Sequence, residues 1–174
     1  MAYTVRTVDD LDTLKAIAHP LRMRLLGALR IDGPATASQL GRRLGESSGS
    51  TSYHLRQLER YGFVTDDEEQ PSGRERRWRA VHDMTAFPTT LADVPGADDL
   101  LGVVRGRQIE VMQQGLAAWT EPSPGIGISD YALRLDPEDV LALNQEIDDV
   151  IGRYADRSGE REVTVHVLTL PRPA

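Results

Sequence analysis

The residues best suited to chemistry lie between Glu46 and Val64, in the stretch ESSGSTSYHLRQLERYGFV. At roughly 100° per residue, Thr51, Leu55, Leu58 and Gly62 share one inward stripe. Gly49, Ser52, Tyr53, Arg56 and Arg60 fall on the opposite side, and no acid stands among them. That face offers small hydroxyls, a glycine that permits close approach, one aromatic and two arginines. Such a surface suits a helix lying in a DNA major groove with its N-terminal turns against base edges. Ser47, just ahead, is of the type that caps a helix by accepting from an orphan backbone N–H. Taken alone, the segment also reads as an ordinary amphipathic surface helix.

The elements around it decide between the two. Thr36 to Leu44 reads as a short helix after Pro34, with Leu40 and Leu44 one turn apart on its buried side. Gly45 ends it, and Glu46-Ser47 leads directly into the next helix. Two helices joined by a short Gly-containing turn form a helix-turn-helix pattern. Phe63-Val64-Thr65 is β-prone, Asp66 to Gly73 is a polar loop, and Arg74 to Val81, RERRWRAV, returns as a strand. That is a hairpin with a basic return arm. Trp78 is expected in its core, and Arg79 is placed to pair with the acids Asp66 to Glu69, a run otherwise expected to be solvated and to face away from any phosphate. His54 flanks the inward stripe and is expected to pack.

Upstream, Val8 to Ile17 is a first helix with Asp9 or Asp10 near its start, broken at His19-Pro20. Pro20 suits the first turn of a second helix over Leu21 to Arg30. Its Leu21, Leu25, Leu26 and Leu29 face inward; Arg22, Arg24 and Arg30 face outward.

The segments LKAIAHPLRMRLLGAL, TASQLGRRLGESSGSTSYHLRQLERYGFV and GRERRWRAV together resemble the ArsR-type winged-helix transcriptional regulators, over about residues 10–82. The resemblance implies a winged-helix fold, a homodimer, and operator binding that represses transcription until a signal releases it. It places Ser48, Gly49, Ser52, Tyr53 and Arg56 where such regulators meet bases and phosphates. It places Arg74, Arg76 and Arg77 on the wing, toward phosphates or the minor groove. Metal-sensing members carry a cysteine pair on the helix before the recognition helix. This chain has no cysteine, so a thiolate metal site and disulfides are excluded.

The rest of the chain sets the domain plan. His82 to Ala97, with Pro88, Pro95 and Gly96, reads as a linker. Asp98 to Trp119 reads as a long helix whose broad apolar surface wants burial on more than one side, as a dimer partner would provide. Alternation from Ser129 to Leu135 predicts a strand with one apolar face. Asp136-Pro137 opens a helix to about Arg157, and Val163 to Leu170, VTVHVLTL, predicts a second strand, apolar on both faces. Its pairing within the chain or across a dimer is open. The fold class expected is α+β, mainly α: a winged helix-turn-helix domain over 1–95, then a long dimerisation helix and a small β-α-β unit over 96–174.

The formal net charge of −7 over 174 residues points superficially away from nucleic acid. Its distribution differs: residues 1–82 hold 13 Lys/Arg against 11 Asp/Glu, while residues 83–174 hold 7 against 16. The binding half is therefore mildly basic, and local charge governs a binding face. No apolar run approaches the roughly 18 residues of a membrane span, and MAYTVRTVDD lacks a signal-peptide core; a cytoplasmic protein is expected. The four histidines are isolated, and neither a phosphate-cradling loop nor a nucleophile elbow occurs. No catalytic residue, cofactor or metal is expected. The partners expected are double-stranded DNA, a second copy, and an unidentified small-molecule effector. The runner-up is a protein-interaction module on a winged-helix scaffold without operator binding.

Overall fold

The computed structural model describes residues 4–69, 75–120, 125, 127–155, 157, 159 and 163–171. The fold is α+β and mainly α, in two compact units, Thr4–Ile109 and Glu110–Ala174, and each is taken by itself.

In the first unit the order is β1 (Val5–Thr7), α1 (Leu11–Ile17), α2 (Pro20–Ile31), β2 (Ala35–Thr36), α3 (Ala37–Leu44), α4 (Ser48–Arg60), β3 (Val64–Asp66), β4 (Arg77–Ala80), β5 (Met84–Ala86) and the start of α5 (Ala97–Ala118). The helix starts follow from their caps. The Asp10 carboxylate accepts from Thr13 N at 2.8 Å. His19 Nδ1 accepts from Leu21 N at 3.2 Å, with Pro20 at the first helical position, where its missing N–H costs nothing. Thr36 and Gln39 form a reciprocal capping box at the start of α3. Ser47 Oγ accepts from Ser50 N at 3.1 Å and so starts α4 as its residue type suggests.

The core is a continuous cluster of α1, α2, α3 and α4 leucines with Phe63, Val64 and Trp78 of the hairpin. β4 lies between β2 and β3, antiparallel to both, pairing Ala35 with Trp78 and Val64 with Ala80. This is the winged helix-turn-helix order. The stretch expected as a linker is partly structured. Met84–Ala86 pairs in parallel with Val5–Thr7, and a 3-10 turn over Thr89–Asp93 drops Leu91 into the core at 1% exposure. Strands of three residues are too short to show a period, which is why the sequence reads as a linker there.

The arginines expected outward on α2 are fastening points instead. Arg24 donates to Leu44 O at the C-terminus of α3 (2.8 Å), where the free carbonyls carry partial negative charge. Arg30 donates to His82 O and to Thr85 Oγ1, both at 2.9 Å, and holds the β5 segment.

The turn between α3 and α4 depends on two glycines. Gly45 adopts φ +72°, the left-handed region that closes a helix C-terminus without a Cβ penalty. Gly41 O accepts from Glu46 N at 2.8 Å. A Cβ on Gly41 would meet Glu46 O at 2.8 Å and Thr51 Oγ1 at 3.2 Å. The α3 backbone meets the Glu46–Ser47 turn and the Thr51 hydroxyl of α4 here because nothing projects from Gly41.

In the second unit the expected helix is present as α6 (Pro137–Ala155). The two strands expected on either side of it are not: residues 127–136 and 163–171 carry no strand. Alternation says which side chains would share a face, but a strand exists only with a hydrogen-bonded neighbour, and neither segment has a ladder partner among the described residues.

Gly41→Ala is expected to lower unfolding free energy by about 1–3 kcal/mol, the usual cost of forcing atoms into a filled space. Urea unfolding of the variant against the parent measures this; an unchanged midpoint contradicts the close approach.

Candidate nucleic-acid interface

α4 is seated by its inward stripe. Thr51, Leu55 and Leu58 are all fully buried, and the Thr51 hydroxyl donates back to Ser47 O at 3.0 Å. With the stripe inward, Ser48, Gly49, Tyr53 and Arg56 are exposed and Ser52 is half-buried. Five of the eight residues expected in the site thus lie on one outward face. Tyr53 keeps 54% of its surface exposed. Arg56 has no ion-pair partner among the described residues. A shallow open cleft runs between this face, the start of α3 and the wing, lined by Ser38, Ser48, Ser52, Arg56, Glu75 and Arg76.

The wing residues are placed differently from the expectation. Arg74 lies outside the described residues. Arg76 is engaged within the protein: it donates to Asp66 and to Glu59, with Nη2 to Asp66 Oδ2 at 2.8 Å and Nη1 to Glu59 Oε2 at 3.2 Å. Its guanidinium also lies 3.9 Å from the centre of the Trp78 ring. The hydrogen bonds it donates to Asp66 and Glu59 raise its pKa, and the same contact lowers that of Asp66. Arg77 Nε sits 3.2 Å from Asp67 Oδ2 and donates to Pro34 O. Arg79 pairs with Glu68 at 3.7 Å, the cross-hairpin pairing its position suggests. The acidic run is therefore not merely solvated. It lies beside the wing arginines and neutralises much of the charge that the sequence assigns to the wing.

What sequence reasoning missed is Glu59, whose carboxylate joins the last turn of α4 to the wing through Arg76. An acid one turn after Arg56, on the flank of the outer face, was the available signal. Glu75, which accepts from Ser38 Oγ at 2.8 Å, likewise places an acid at the cleft.

Behind the face, His54 packs as expected. Its ring centre lies 4.5 Å from that of His19 and 5.1 Å, edge-on, from Tyr53. Burial is the main reason both imidazoles titrate below their ordinary value. Arg22 opposes protonation of both, and His19 that of His54, while Glu46 weakly favours it at His54. Protonating His19 on Nδ1 would also remove the acceptor that caps α2. No cluster of three His, Cys, Asp or Glu groups suited to a metal ion occurs among the described residues, and no described helix is long and apolar enough to cross a membrane.

Residues 17–67 match a family model described as a helix-turn-helix domain, a span running from the end of α1 to just past β3. No curated protein matches the chain in sequence. Solved structures do align with it. Reduced HlyU from Vibrio cholerae N16961 is 28% identical, with a TM-score of 0.33 over 38% of this chain and 66% of that one. Rv0081 of M. tuberculosis is 23% identical, with a TM-score of 0.36 over 60% and 90%. Mb0332 from Mycobacterium bovis, described as a homodimeric winged helix-turn-helix DNA-binding domain and possible ArsR-family transcriptional regulator, is 18% identical, with a TM-score of 0.36 over 64% and 86%. The chain thus spans just under two thirds of HlyU. The winged-helix assignment rests on the domain match and on the element order of this chain.

Two outcomes are expected from these contacts. Because the unfolded chain takes up protons near pH 6.5 that folded His19 and His54 resist, stability is full above that pH. It falls as pH drops through their lower folded values. Urea unfolding between pH 7.5 and 5 should show this fall, with a shallower slope in His54→Gln. Arg76→Gln leaves Glu59 and Asp66 without their counter-charge. It should lower stability by about 1 kcal/mol, as befits a half-exposed pair screened by water. Arg76→Lys should recover only part of it, since an ammonium cannot reproduce the two-sided fork; thermal melts of the three proteins decide.

Proposed function

From a helix-turn-helix domain over residues 17–67, set in a winged fold that resembles the ArsR-type regulators, we propose that this chain is a non-catalytic, sequence-specific binder of double-stranded DNA. In this reading it regulates transcription inside the cell as a homodimeric repressor, with a small-molecule signal releasing it. The observation that carries the proposal is the outward face of α4. Ser48, Gly49, Ser52, Tyr53 and Arg56 lie together there without an acid among them, held in place by a fully buried stripe on the other side.

The chemistry of each residue fits a role. The first turns of α4 bring the Ser48 and Ser52 hydroxyls and the bare Gly49 backbone to the floor of the groove. The arginine fork of Arg56 matches the paired acceptors of a guanine edge or two phosphate oxygens. Tyr53, with an apolar ring and a polar tip, suits the sugar-phosphate wall. The wing contributes chiefly its shape and the Arg77 side chain, whose charge is shared with Asp67. Arg76 holds the wing against α4 rather than reaching outward. With much wing charge already compensated, few phosphates are neutralised and the affinity owes more to α4.

Arg56→Ala and Tyr53→Ala should each weaken binding to the preferred duplex by about 1–3 kcal/mol, tenfold or more, with the urea midpoint unchanged. For Arg56→Ala the slope of log affinity against log salt should change by about one unit if the contact is to phosphate, and scarcely at all if it is to a base. Fluorescence anisotropy with labelled duplexes reads both. Binding that is indifferent to both substitutions rejects the reading and favours a protein-interaction module on the same scaffold.

A further inference from the structure

The cleft between α4 and the wing has two unlike walls. On the helix side stand the hydroxyls of Ser38, Ser48 and Ser52 and the guanidinium of Arg56, all groups that can donate to an anion. Ser48, Ser52 and Arg56 follow one another turn by turn along α4 and so form a single row. On the wing side stand Glu75 and Arg76. With α4 in a major groove and the hairpin beside it, the sugar-phosphate ridge between two grooves passes through this cleft.

The acids around the cleft differ in how they are held. Glu59 and Asp66 are paired with Arg76, Asp67 with Arg77, and Glu68 with Arg79. Glu75 is the exception. Among the described residues it has no ion-pair partner, and its carboxylate meets an uncharged group instead. Its Oε1 accepts from Ser38 Oγ at 2.8 Å, reaching from the wing to the first turn of α3. The side chain is exposed, so no core packing fixes it there. A serine hydroxyl has a single proton to donate. It serves a carboxylate or a phosphate, not both at once, and two anions competing for it repel each other.

We propose that Glu75 is a built-in competitor of the duplex: its carboxylate holds the Ser38 hydroxyl in the free protein and yields it to a backbone phosphate when DNA seats in the cleft. The inference rests on the DNA-binding reading and deepens it in two ways. Ser38 joins the binding surface from α3, outside the face of α4. Glu75 sets a threshold, because its charge opposes the phosphates of any sequence. Only a duplex whose bases gain enough from α4 overcomes it. Glu59 and Asp66 cannot act in this way, since Arg76 already cancels their charge.

Glu75→Gln isolates the charge, because the amide oxygen still accepts from Ser38 while the repulsion is gone. Fluorescence anisotropy with a labelled preferred duplex and a scrambled one, at about 50 and 200 mM salt, reads the effect. Both duplexes are expected to bind about fivefold tighter or more at the lower salt. The gain should shrink at the higher salt, where screening weakens the repulsion. Asp9→Asn removes the same charge from an exposed residue outside the cleft and should leave affinity nearly unchanged. An equal gain there would overturn the proposal as an effect of net charge alone. In a Ser38→Ala background the carboxylate has lost its tether, so the gain from Glu75→Gln should fall by about half or more. Equal gains in the two backgrounds would overturn the competition for the hydroxyl. Unchanged binding in Glu75→Gln would overturn it as well. So would weaker binding confined to the preferred duplex, the sign of a carboxylate that accepts from a cytosine amino group. Each of these failures leaves the regulator reading standing, whereas a parent chain that binds neither duplex would overturn both.

Discussion

One constraint governs this molecule: α4 is seated in the core by a single stripe of side chains. Thr51, Leu55 and Leu58 disappear completely into the cluster made by α1, α2 and α3. The helix therefore cannot roll without opening the core, at a cost of several kcal/mol. The bare Gly41 backbone lets the first turn of α4 press against α3, and Gly45 turns the chain between them. What the seating leaves outward is the small face of Ser48, Gly49, Ser52, Tyr53 and Arg56 on which the functional reading stands, with Glu59 on its flank held by Arg76. A surface prepared in this way carries no further reorganisation cost when a ligand arrives, which favours binding.

The second governing fact is how charge is arranged rather than how much there is. A chain of net charge −7 can approach a polyanion only if its acids are elsewhere or already engaged, and here both hold. Most of the excess lies beyond residue 82, while Glu59, Asp66, Asp67 and Glu68 are occupied by Arg76, Arg77 and Arg79. The compensation has a structural by-product. The Arg76 fork ties the end of α4 to β3, and its stacking on Trp78 ties both to β4, so the wing and the helix are oriented by one side chain. Arginine suits this task better than lysine because its planar fork serves two carboxylates and a ring together.

Much of this was legible beforehand, and the reasons are physical. Helices announce themselves through a period and through caps: Asp10, Pro20, Gly45 and Ser47 all act as their types suggest, and Trp78 lies in the hairpin core. Interactions that depend on long-range approach were not legible. Nothing local marks Gly41 as a contact point, β1 and β5 are too short to show alternation, and Leu91 is buried by a segment whose prolines read as linker. The wing arginines were counted as basic because a sequence displays their charge but not their partners; only the Arg79 pairing could be guessed from its place across the hairpin. The strands foreseen around α6 are instructive in another way. Alternation marks which side chains would share a face, yet no strand forms there because neither segment has a ladder partner among the described residues.

The central claim is that the side of α4 turned away from the core reads a DNA duplex. Selection of bound sequences from a pool of random duplexes, carried out with the intact chain at physiological salt, tests this most directly. The account predicts enrichment of a motif of two related half-sites about one helical turn apart. A pool recovered without sequence enrichment, or no recovery at all, would contradict it.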